Sequence, residues 1–540
     1  MQAKALFVNT ILITLFSSAS LLAVDPGVGD TTQTEAPQNW HHMDQSSQNF
    51  QGISLNKAYQ DVLKGKKSKT VIVGVIDSGI DIEHEDLKDI IWVNEKEIAG
   101  NGIDDDGNGY IDDVHGWNFI GGKDGKHIDD ETLELTRLYK KYNALYEDEN
   151  VGTLSGKAKK EYAYYLELKE AFEAELQENQ MLLQQYEQIL GAFQMFKPML
   201  EKELGDKEFN LENISAITSD DEKINQAKGY MEYLLGLGAT EQDIKDGVEH
   251  FEDQVNYNLN VDFDPRGIVG DDPSNPYEKN YGNSDVKGPD SDHGTHVAGI
   301  IGAIRGNDLG ATGVADNVRI MVLRAVPNGD ERDKDVANAI YYAVNNGAQV
   351  INMSFGKSYS PNKKVVDKAV KYAQKKGVLL IHAAGNDGEN IDEVNNFPTK
   401  DLKKAHSGKL VKNWIEVGAT NWGTKSEFVA SFSNYGDASV DIFAPGVDIY
   451  STYPENNYQN QQGTSMAAPV VTGVAALVMS YFPDLNYKEV KEILLSSSAK
   501  FENEQVNLPG SDEMVNFGKL STTGGVVNAY NAVKMANEMK

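Results

Sequence analysis

Three separated motifs of the chain hold the residue types of a nucleophilic triad. Asp77 ends the apolar run VIVGVID, His293 lies in DSDHGTHVAG and Ser465 lies in QGTSMAAP. A serine hydroxyl is a weak nucleophile unless a base takes its proton, and a histidine base needs a third group to orient it. The three motifs therefore hold the residue types that acyl-transfer chemistry needs.

The three motifs and their order resemble those of the subtilisin-like serine proteases, the subtilase family. In that family the triad follows the chain order Asp, His, Ser, which differs from the orders in chymotrypsin and in the α/β-hydrolases. The resemblance covers roughly residues 50–120 and 262–540. It implies an enzyme that cleaves protein or peptide substrates through an acyl-enzyme intermediate. By the resemblance, Ser465 is the nucleophile, His293 the base and Asp77 the group that orients it.

The same resemblance implies residues that bind the oxyanion and the substrate. Asn386 lies in AAGND, which resembles the family's oxyanion segment, so its side-chain amide would donate beside the backbone N–H of Ser465. A turn-forming role for Asn386 is the alternative. An extended substrate would pair with an edge segment as an added strand. The implied substrate-binding residues are Ser354, Phe355, Gly356, Ala384 and Gly385.

Apolar runs alternate with helical patterns around these motifs. The β-branched run from Thr70 to Asp77 has the form of a strand buried on both faces of a parallel sheet. Further strands are predicted at 320–326, 350–354, 378–382, 415–419 and 442–444, and helices at 55–63, 334–346, 363–376 and 470–479. The alternation predicts an α/β fold in which helices cover both faces of a mostly parallel central sheet. By the resemblance, this is the subtilisin-like three-layer fold.

Residues 129–256 differ from the rest of the chain. They include a single proline, Pro198, and 29 acidic against 13 basic residues. Seven positions follow a heptad seam with one polar member: Phe172, Leu176, Asn179, Leu183, Tyr186, Leu190 and Phe193. This pattern predicts a long helix over about 157–203. Ser219 and Thr240 are predicted to cap two more helices. We interpret the region as an all-helical insertion that forms an antiparallel hairpin or small bundle. A coiled coil that contacts another protein or self-associates is the alternative.

An acidic loop, DDDGNGYIDD, follows the Asp77 motif. It begins like an EF-hand loop, with oxygen donors at the first, third and fifth positions and glycine at the sixth. The twelfth position is His115 instead of glutamate, so other groups must complete any site. The loop predicts a structural calcium ion, and an acidic surface turn is the alternative. The candidate ligands are Asp104, Asp106, Asn108, Tyr110, Asp112 and Asp113.

The composition predicts a soluble, exported protein. Its net charge of −32 disfavours nucleic acid and anionic membranes as partners, and no integral membrane partner is implied. Residues 1–24 have the pattern of a secretory signal peptide, with a membrane anchor as the alternative. The chain has no cysteine, so no disulfide stabilises it in a periplasm or outside the cell. We predict a linker over 25–50, and the peptidase domain over 51–128 and 257–540, which leaves little room for a full propeptide.

The sequence therefore predicts an exported serine endopeptidase. A catalytically silent subtilase-like scaffold, whose helical insertion binds a protein partner, is the alternative. The complete set of Asp77, His293, Asn386 and Ser465 argues against it, because a silent scaffold has no chemical need for all four. Other histidines near the motifs are predicted to be structural: His84, His296 and His382.

Overall fold

A computed structural model describes residues 36–149, 152, 154–402, 410–423 and 425–539. The predicted signal peptide lies outside the described residues. The strands are β1 (Val71–Asp77), β2 (Gly116–Asn118), β3 (Val318–Arg324), β4 (Val350–Met353), β5 (Leu379–Ala383), β6 (Trp414–Thr420), β7 (Ile442–Pro445), β8 (Ile449–Tyr453), β9 (Asn457–Gln461), β10 (Ala499–Lys500), β11 (Gln505–Asn507), β12 (Met514–Asn516) and β13 (Gly525–Val526). The α-helices are α1 (Gln45–Gln48), α2 (Leu55–Lys57), α3 (Glu134–Tyr146), α4 (Gly156–Leu204), α5 (Leu211–Ser215), α6 (Glu222–Gly236), α7 (Glu241–Asp253), α8 (Asp292–Gly302), α9 (Asp333–Asn345), α10 (Lys363–Lys376), α11 (Thr464–Tyr481), α12 (Tyr487–Ser496) and α13 (Ala529–Glu538).

The central sheet has nine strands within the described residues, in the order β10-β13-β7-β6-β5-β4-β1-β3-β2. Its pairs are parallel, with Asp77 opposite Arg324 and Ile76 opposite Met353, apart from the antiparallel β10 and β13. Every residue of β4, β5 and β6 is buried. Strands buried on both faces need helices on both sides, and α8 with α11 and α9 with α10 supply two packed pairs. The predicted α/β fold is confirmed.

Two predicted elements differ from the structure by more than one residue at their ends. The strand expected over 320–326 runs from Val318 to Arg324. Its last two expected residues leave the ladder because the backbone N–H groups of Ala325 and Val326 both donate to Asp77 O. The helix expected at 470–479 begins at Thr464 and passes through Pro469. Proline has no N–H for the carbonyl four residues before it, and that carbonyl, of Ser465, accepts from Ser354 Oγ instead.

Helix α11 is the hydrophobic centre of the sheet's helical cover. Among the described residues it is the one helix long and apolar enough to cross a bilayer, but 89% of that stretch is buried inside the protein. It packs on β4, β5, β6 and β7. Its composition is thus that of a core helix, and its first turn places Ser465 at the edge of the core.

Residues 135–263 form a separate compact helical unit, a few residues later in the chain than the predicted insertion at 129–256. Within it, α4 packs against α6 and α7, so the predicted small bundle is confirmed. The heptad seam is buried at Phe172, Tyr186 and Phe193.

The predicted helix caps of this unit had different outcomes. Thr240 forms a capping box with Asp243, as predicted. Ser219 does not cap a helix, because Asp221 accepts from Lys223 N and is itself the cap, while Ser219 Oγ accepts from Asp221 N.

Candidate active site

Three neighbouring strands end at one edge of the central sheet and place the predicted site residues there. β5, β4 and β1 are adjacent in the sheet. Asp77 is the last residue of β1, Ser354 directly follows β4, and Ala383 is the last residue of β5. Ligands of open α/β sheets bind outside the carboxyl ends of the strands. The topology thus brings together side chains that are far apart in the chain.

Asp77 and His293 are joined by a short hydrogen bond. His293 Nδ1 lies 2.7 Å from Asp77 Oδ1. The Asp77 side chain is 2% exposed and the His293 side chain 22%. Since an ionised carboxylate only accepts, Nδ1 carries the proton and Nε2 of the neutral ring is left to accept one. Burial lowers the pKa of His293, but the Asp77 carboxylate offsets this and raises it above its ordinary value.

Ser465 lies in the first turn of α11 and is held against the end of β4. Its Oγ donates to Ser354 O over 3.2 Å, and its carbonyl accepts from Ser354 Oγ over 2.9 Å. That carbonyl is available because Pro469, four residues on, has no N–H to donate to it. The backbone N–H of Ser465 is one of the first-turn donors that a helix leaves without an internal partner. For attack, Oγ has to turn from Ser354 O toward His293 Nε2.

Asn386 follows β5 and is bonded to the residue before the nucleophile. Thr464 donates to Asn386 Oδ1 from its backbone N–H over 2.9 Å and from Oγ1 over 3.0 Å. A backbone N–H can only donate, so the atom that faces it must be the oxygen. Nδ2 is therefore left to donate to a charge that develops beside Ser465. Thr464 Oγ1 also accepts from Gly385 N over 3.1 Å, and the sequence did not single out Thr464.

The implied substrate-binding segments lie on either side of Asn396, which sequence reasoning missed. Asn396 Nδ2 donates to Ala383 O over 3.2 Å and to Ala384 O over 2.8 Å. A Cβ added to Gly356 would lie 2.2 Å from Asn396 Oδ1, so only glycine fits there. Asn396 thus fills the space between the Ser354–Gly356 segment and the segment after β5. Its position depends on the pairing of Lys357 with Phe397, a long-range contact with no local signal.

Phe355 is backed by a buried polar pair. Its ring centroid lies 6.3 Å from that of His382. His382 Nδ1 lies 2.7 Å from Glu416 Oε1, and both side chains are buried. His382, predicted to be a core or pocket-wall residue, is fully buried beside Phe355.

The other two histidines singled out in the sequence are also structural. His84 Nε2 is bonded to Asn457 O and its Nδ1 accepts from Asp86 N. His296 Nε2 lies 3.0 Å from Gln459 O. Neither touches the Asp77–His293 pair by a hydrogen bond within the described residues.

The acidic loop brings the carboxylates of two candidate ligands together with a third carboxylate. Carboxylate oxygens of Asp104 and Asp106 lie within 4.8 Å of each other and of Glu97, which sequence reasoning missed. One carboxylate oxygen of Glu97 is buried without a hydrogen-bond partner. Such a set fits a hard cation. Among the remaining candidates, Asp112 accepts from the backbone N–H groups of Asn101 and Gly102.

The last candidates lie deeper in the loop. Asp113 is fully buried and accepts from Tyr342 Oη, Asn94 Nδ2 and Asn108 Nδ2. The Asn108 side-chain oxygen accepts from Tyr110 N, and the Tyr110 ring is part of the hydrophobic core. These groups stabilise the fold of the loop.

Comparison with known proteins finds a matching family and several relatives. The sequence profile of the subtilase family matches residues 68–518. The chain is similar to a thermophilic serine proteinase of Bacillus sp. (strain AK1), with 37% identity over 45% of this chain and 52% of that protein. It is similar to subtilisin-like protease 1 of Plasmodium falciparum (isolate 3D7), with 31% identity over 54% of this chain and 42% of the other. It is similar to subtilisin DY of Bacillus licheniformis, with 38% identity over 38% of this chain and 70% of that protein. The chain spans about half the length of the first two relatives.

Proposed function

The chain belongs to the subtilase family, and from that premise we propose that it hydrolyses peptide bonds in protein or peptide substrates as a serine endopeptidase. The observation that supports this most directly is the 2.7 Å bond between Asp77 and His293. That bond lies at the sheet edge to which Ser465 is also bonded, through Ser354. A scaffold without catalysis would have no need for a buried carboxylate bonded to a partly exposed histidine.

The proposed reaction has two halves, the acylation of Ser465 and the hydrolysis of the acyl-enzyme, and the same residues act in both. Ser465 Oγ attacks the scissile carbonyl carbon while His293 Nε2 takes the hydroxyl proton. The same proton passes from His293 to the leaving amine when the C–N bond breaks, which leaves an acyl-enzyme ester on Ser465. A water molecule then attacks that ester, His293 takes its proton, and the proton returns to Ser465 as the acid product leaves. Asp77 stabilises the imidazolium in both halves.

The negative charge of the tetrahedral intermediate needs donors that are in place before it forms. We assign this to Asn386 Nδ2 and the Ser465 backbone N–H. The first is oriented by the two bonds from Thr464, and the second by the start of α11. Both are fixed by the same short segment of chain, so the nucleophile and the oxyanion donors move together.

A structural calcium ion in the acidic loop is part of the proposal. Glu97, Asp104 and Asp106 would hold it through carboxylate oxygens, and the buried, unpaired oxygen of Glu97 supports this. A bound ion would stabilise the folded protein by about 2.7 kcal/mol at a hundredfold excess over Kd. Chelation should therefore lower Tm in the wild type and leave Glu97→Gln unchanged, and equal shifts would contradict the site.

We also propose that the helical unit at 135–263 controls the access of folded protein substrates. The chain passes from the peptidase unit into the helical unit after Glu134 and returns at Asp264, and we call these two points the first and second joints. The Glu134 carboxylate lies 3.2 Å from Lys357 Nζ. Lys357 directly follows the substrate-binding residue Gly356. The joint and the substrate-binding segment are thus bonded to each other within the peptidase unit.

Export is proposed from the sequence of residues 1–24 alone. Fractionation of cells that express the full chain would test it. The protein should be found outside the cytoplasm, shortened at its N-terminus.

Hydrolysis of a denatured protein such as casein tests the proposed activity. The full chain should cut it, with new N-termini detected by mass spectrometry. Ser465→Ala should not, whereas the matched variant Ser511→Ala, in an exposed loop, should keep wild-type activity. Equal cleavage by Ser465→Ala and the wild type would overturn the proposal.

A further inference from the structure

We propose that Asn434 is a positioning residue for catalysis, which holds the loop 384–389 in the orientation that lets Asn386 donate to the oxyanion. This role rests on the proposed serine endopeptidase activity. Asn434 itself is 2% exposed, and its amide is bonded to atoms of this loop. It acts through Asn386.

The Asn434 amide uses its full hydrogen-bonding capacity on this one loop. Its Oδ1 accepts from Asp387 N over 3.0 Å and from Glu389 N over 2.8 Å. Its Nδ2 donates to Ala384 O over 3.0 Å and to Asp387 Oδ2 over 3.1 Å. A side-chain amide offers two donors and two lone pairs. All four are used, so the side chain has one orientation.

These bonds hold the chain both before and after Asn386. Ala384 precedes it and Asp387 follows it, and the Asn434 backbone N–H also donates to Gly385 O over 3.0 Å. β5 ends at Ala383, and Ala384 N still donates to Val417 O of β6, but the residues after Ala384 lie beyond the sheet ladder. Asn434 takes over that support at the point where the oxyanion donor lies.

The contact between the loop and Asn434 leaves no free space. Gly385 has a φ of +101°, which favours glycine, and a Cβ added there would lie 2.4 Å from Asn434 Nδ2. A preorganised donor has to be held to within about 0.5 Å of its working position. A change in this amide is therefore expected to move Asn386.

Replacement of the Asn434 amide by a carboxylate separates its role as a hydrogen-bond acceptor from its role as a donor. Asn434→Asp keeps the acceptors for Asp387 N and Glu389 N. It also places a second carboxylate against Asp387 Oδ2 and Ala384 O, where Nδ2 was. The two carboxylates repel each other at neutral pH and share a proton at lower pH. The variant should therefore lose more activity at high pH than at low pH.

A double-mutant cycle with Asn386 distinguishes positioning from general stability. Kinetics on a short peptide amide are compared for the wild type, Asn434→Asp, Asn386→Ala and the double variant, all in the full chain. Asn434→Asp should lower kcat by roughly 10- to 100-fold with KM changed less than about twofold. In the Asn386→Ala background it should cost less than about threefold, since residues acting through one another are not additive.

Two further variants complete the test. Asn413 is fully buried at the opposite end of the sheet and donates to Val378 O. Asn413→Asp should lower Tm while kcat stays at the wild-type value. The swapped pair Asp387→Asn with Asn434→Asp restores an amide opposite a carboxylate and should recover part of kcat. Where Asn434→Asp does not fold, Asn434→Ser removes Nδ2 without adding charge and completes the same cycle.

The outcomes separate the two levels of the proposal. Multiplicative effects of Asn434 and Asn386 substitutions in an active enzyme would overturn the role of Asn434 alone. A raised KM with unchanged kcat in Asn434→Asp would do the same. An inactive wild type would overturn the proposed function, and this role with it.

Discussion

The backbone N–H of Thr464 donates to Asn386 Oδ1 over 2.9 Å, and this bond fixes which end of the Asn386 amide faces the nucleophile. Thr464 and Ser465 are consecutive residues in the first turn of α11. The helix that presents the nucleophile therefore also orients the oxyanion donor. This coupling explains how a donor on one strand end and a nucleophile on a distant helix remain aligned.

Loss of the Asn386 amide should slow catalysis without impairing substrate binding. Asn386→Ala should lower kcat by about 10² to 10³, a figure that was itself measured on subtilisin. Thr464→Val removes one of the two bonds that orient Asn386, and a lost hydrogen bond of about 1 kcal/mol corresponds to roughly fivefold in kcat. Steady-state kinetics on a peptide amide would measure both. The control is Thr70→Val, at an exposed position before β1, which should leave kcat unchanged. An unchanged kcat in Asn386→Ala would contradict the assignment of Asn386 as the oxyanion donor.

The pH dependence of kcat/KM should report the Asp77–His293 pair. Although burial lowers the pKa of His293, Asp77 raises it above 6.5. Only the neutral ring acts as a base, so activity should fall as pH drops through a midpoint above 6.5. Asp77→Asn removes the carboxylate and leaves burial, so the midpoint of the residual activity should move to lower pH. A midpoint that stays in place or moves upward would contradict this pair.

Two consecutive buried histidines, His41 and His42, fix the segment before β1. Burial lowers the pKa of His41 to about 3 and that of His42 well below its usual value, and the nearby Arg305 adds to both effects. One ring nitrogen of each has no hydrogen-bond partner. Next to them, Trp40 is fully buried and its Nε1 donates to Val447 O.

Acid should weaken the packing of the segment that contains His41 and His42. A histidine whose pKa is lowered by folding stabilises the protein above pH 6.5, and that stability is lost as pH falls from 6.5 toward the folded pKa. We expect Tm to fall over this window, with a change in Trp40 fluorescence that is absent in Trp40→Phe. His41→Phe should weaken the pH dependence, whereas His127→Asn, at a partly exposed site, should leave it intact. Equal pH dependence in His41→Phe and the wild type would argue against this explanation.

The helical unit should be removable, because both of its joints are bonded inside the peptidase unit. At the first, Lys357 Nζ lies 3.2 Å from Glu134 and 3.1 Å from Asp333. At the second, Arg266 Nη1 lies 2.7 Å from Asp335. Asp333 and Asp335 are in the same turn of α9, so the two joints are close together. A short flexible linker from Glu134 to Asp264 can replace residues 135–263.

The shortened protein should fold and keep its activity on a short peptide within about threefold, since its catalytic residues are unchanged. Its rate on a folded protein relative to the peptide should change if the helical unit controls access. Equal changes for both substrates would contradict the access proposal. Lys357→Met in the full chain is a matched control, because it breaks the first joint while the helices remain.

The sequence predicted the groups that are defined by local motifs and missed those defined by tertiary contacts. Asp77, His293 and Ser465 each lie in a recognisable motif at the end of a strand or the start of a helix. Asn396 and Asn434 do not, because their partners are backbone atoms of a loop that is distant in the chain. The start of α11 was missed for a related reason. A proline normally interrupts a helix, but the carbonyl that Pro469 leaves without an N–H donor accepts from Ser354 Oγ, a long-range bond that the local sequence does not show.

Labelling with a fluorophosphonate probe tests the central claim most directly. Such a probe reacts with a serine whose hydroxyl is activated by a base and whose oxyanion is stabilised. In the full chain at about pH 8, mass spectrometry of the digested protein should find the adduct on Ser465. Ser465→Ala should not react, and His293→Ala should react far more slowly than the wild type. A folded wild type that stays unlabelled, or that is labelled at another serine, would contradict the account.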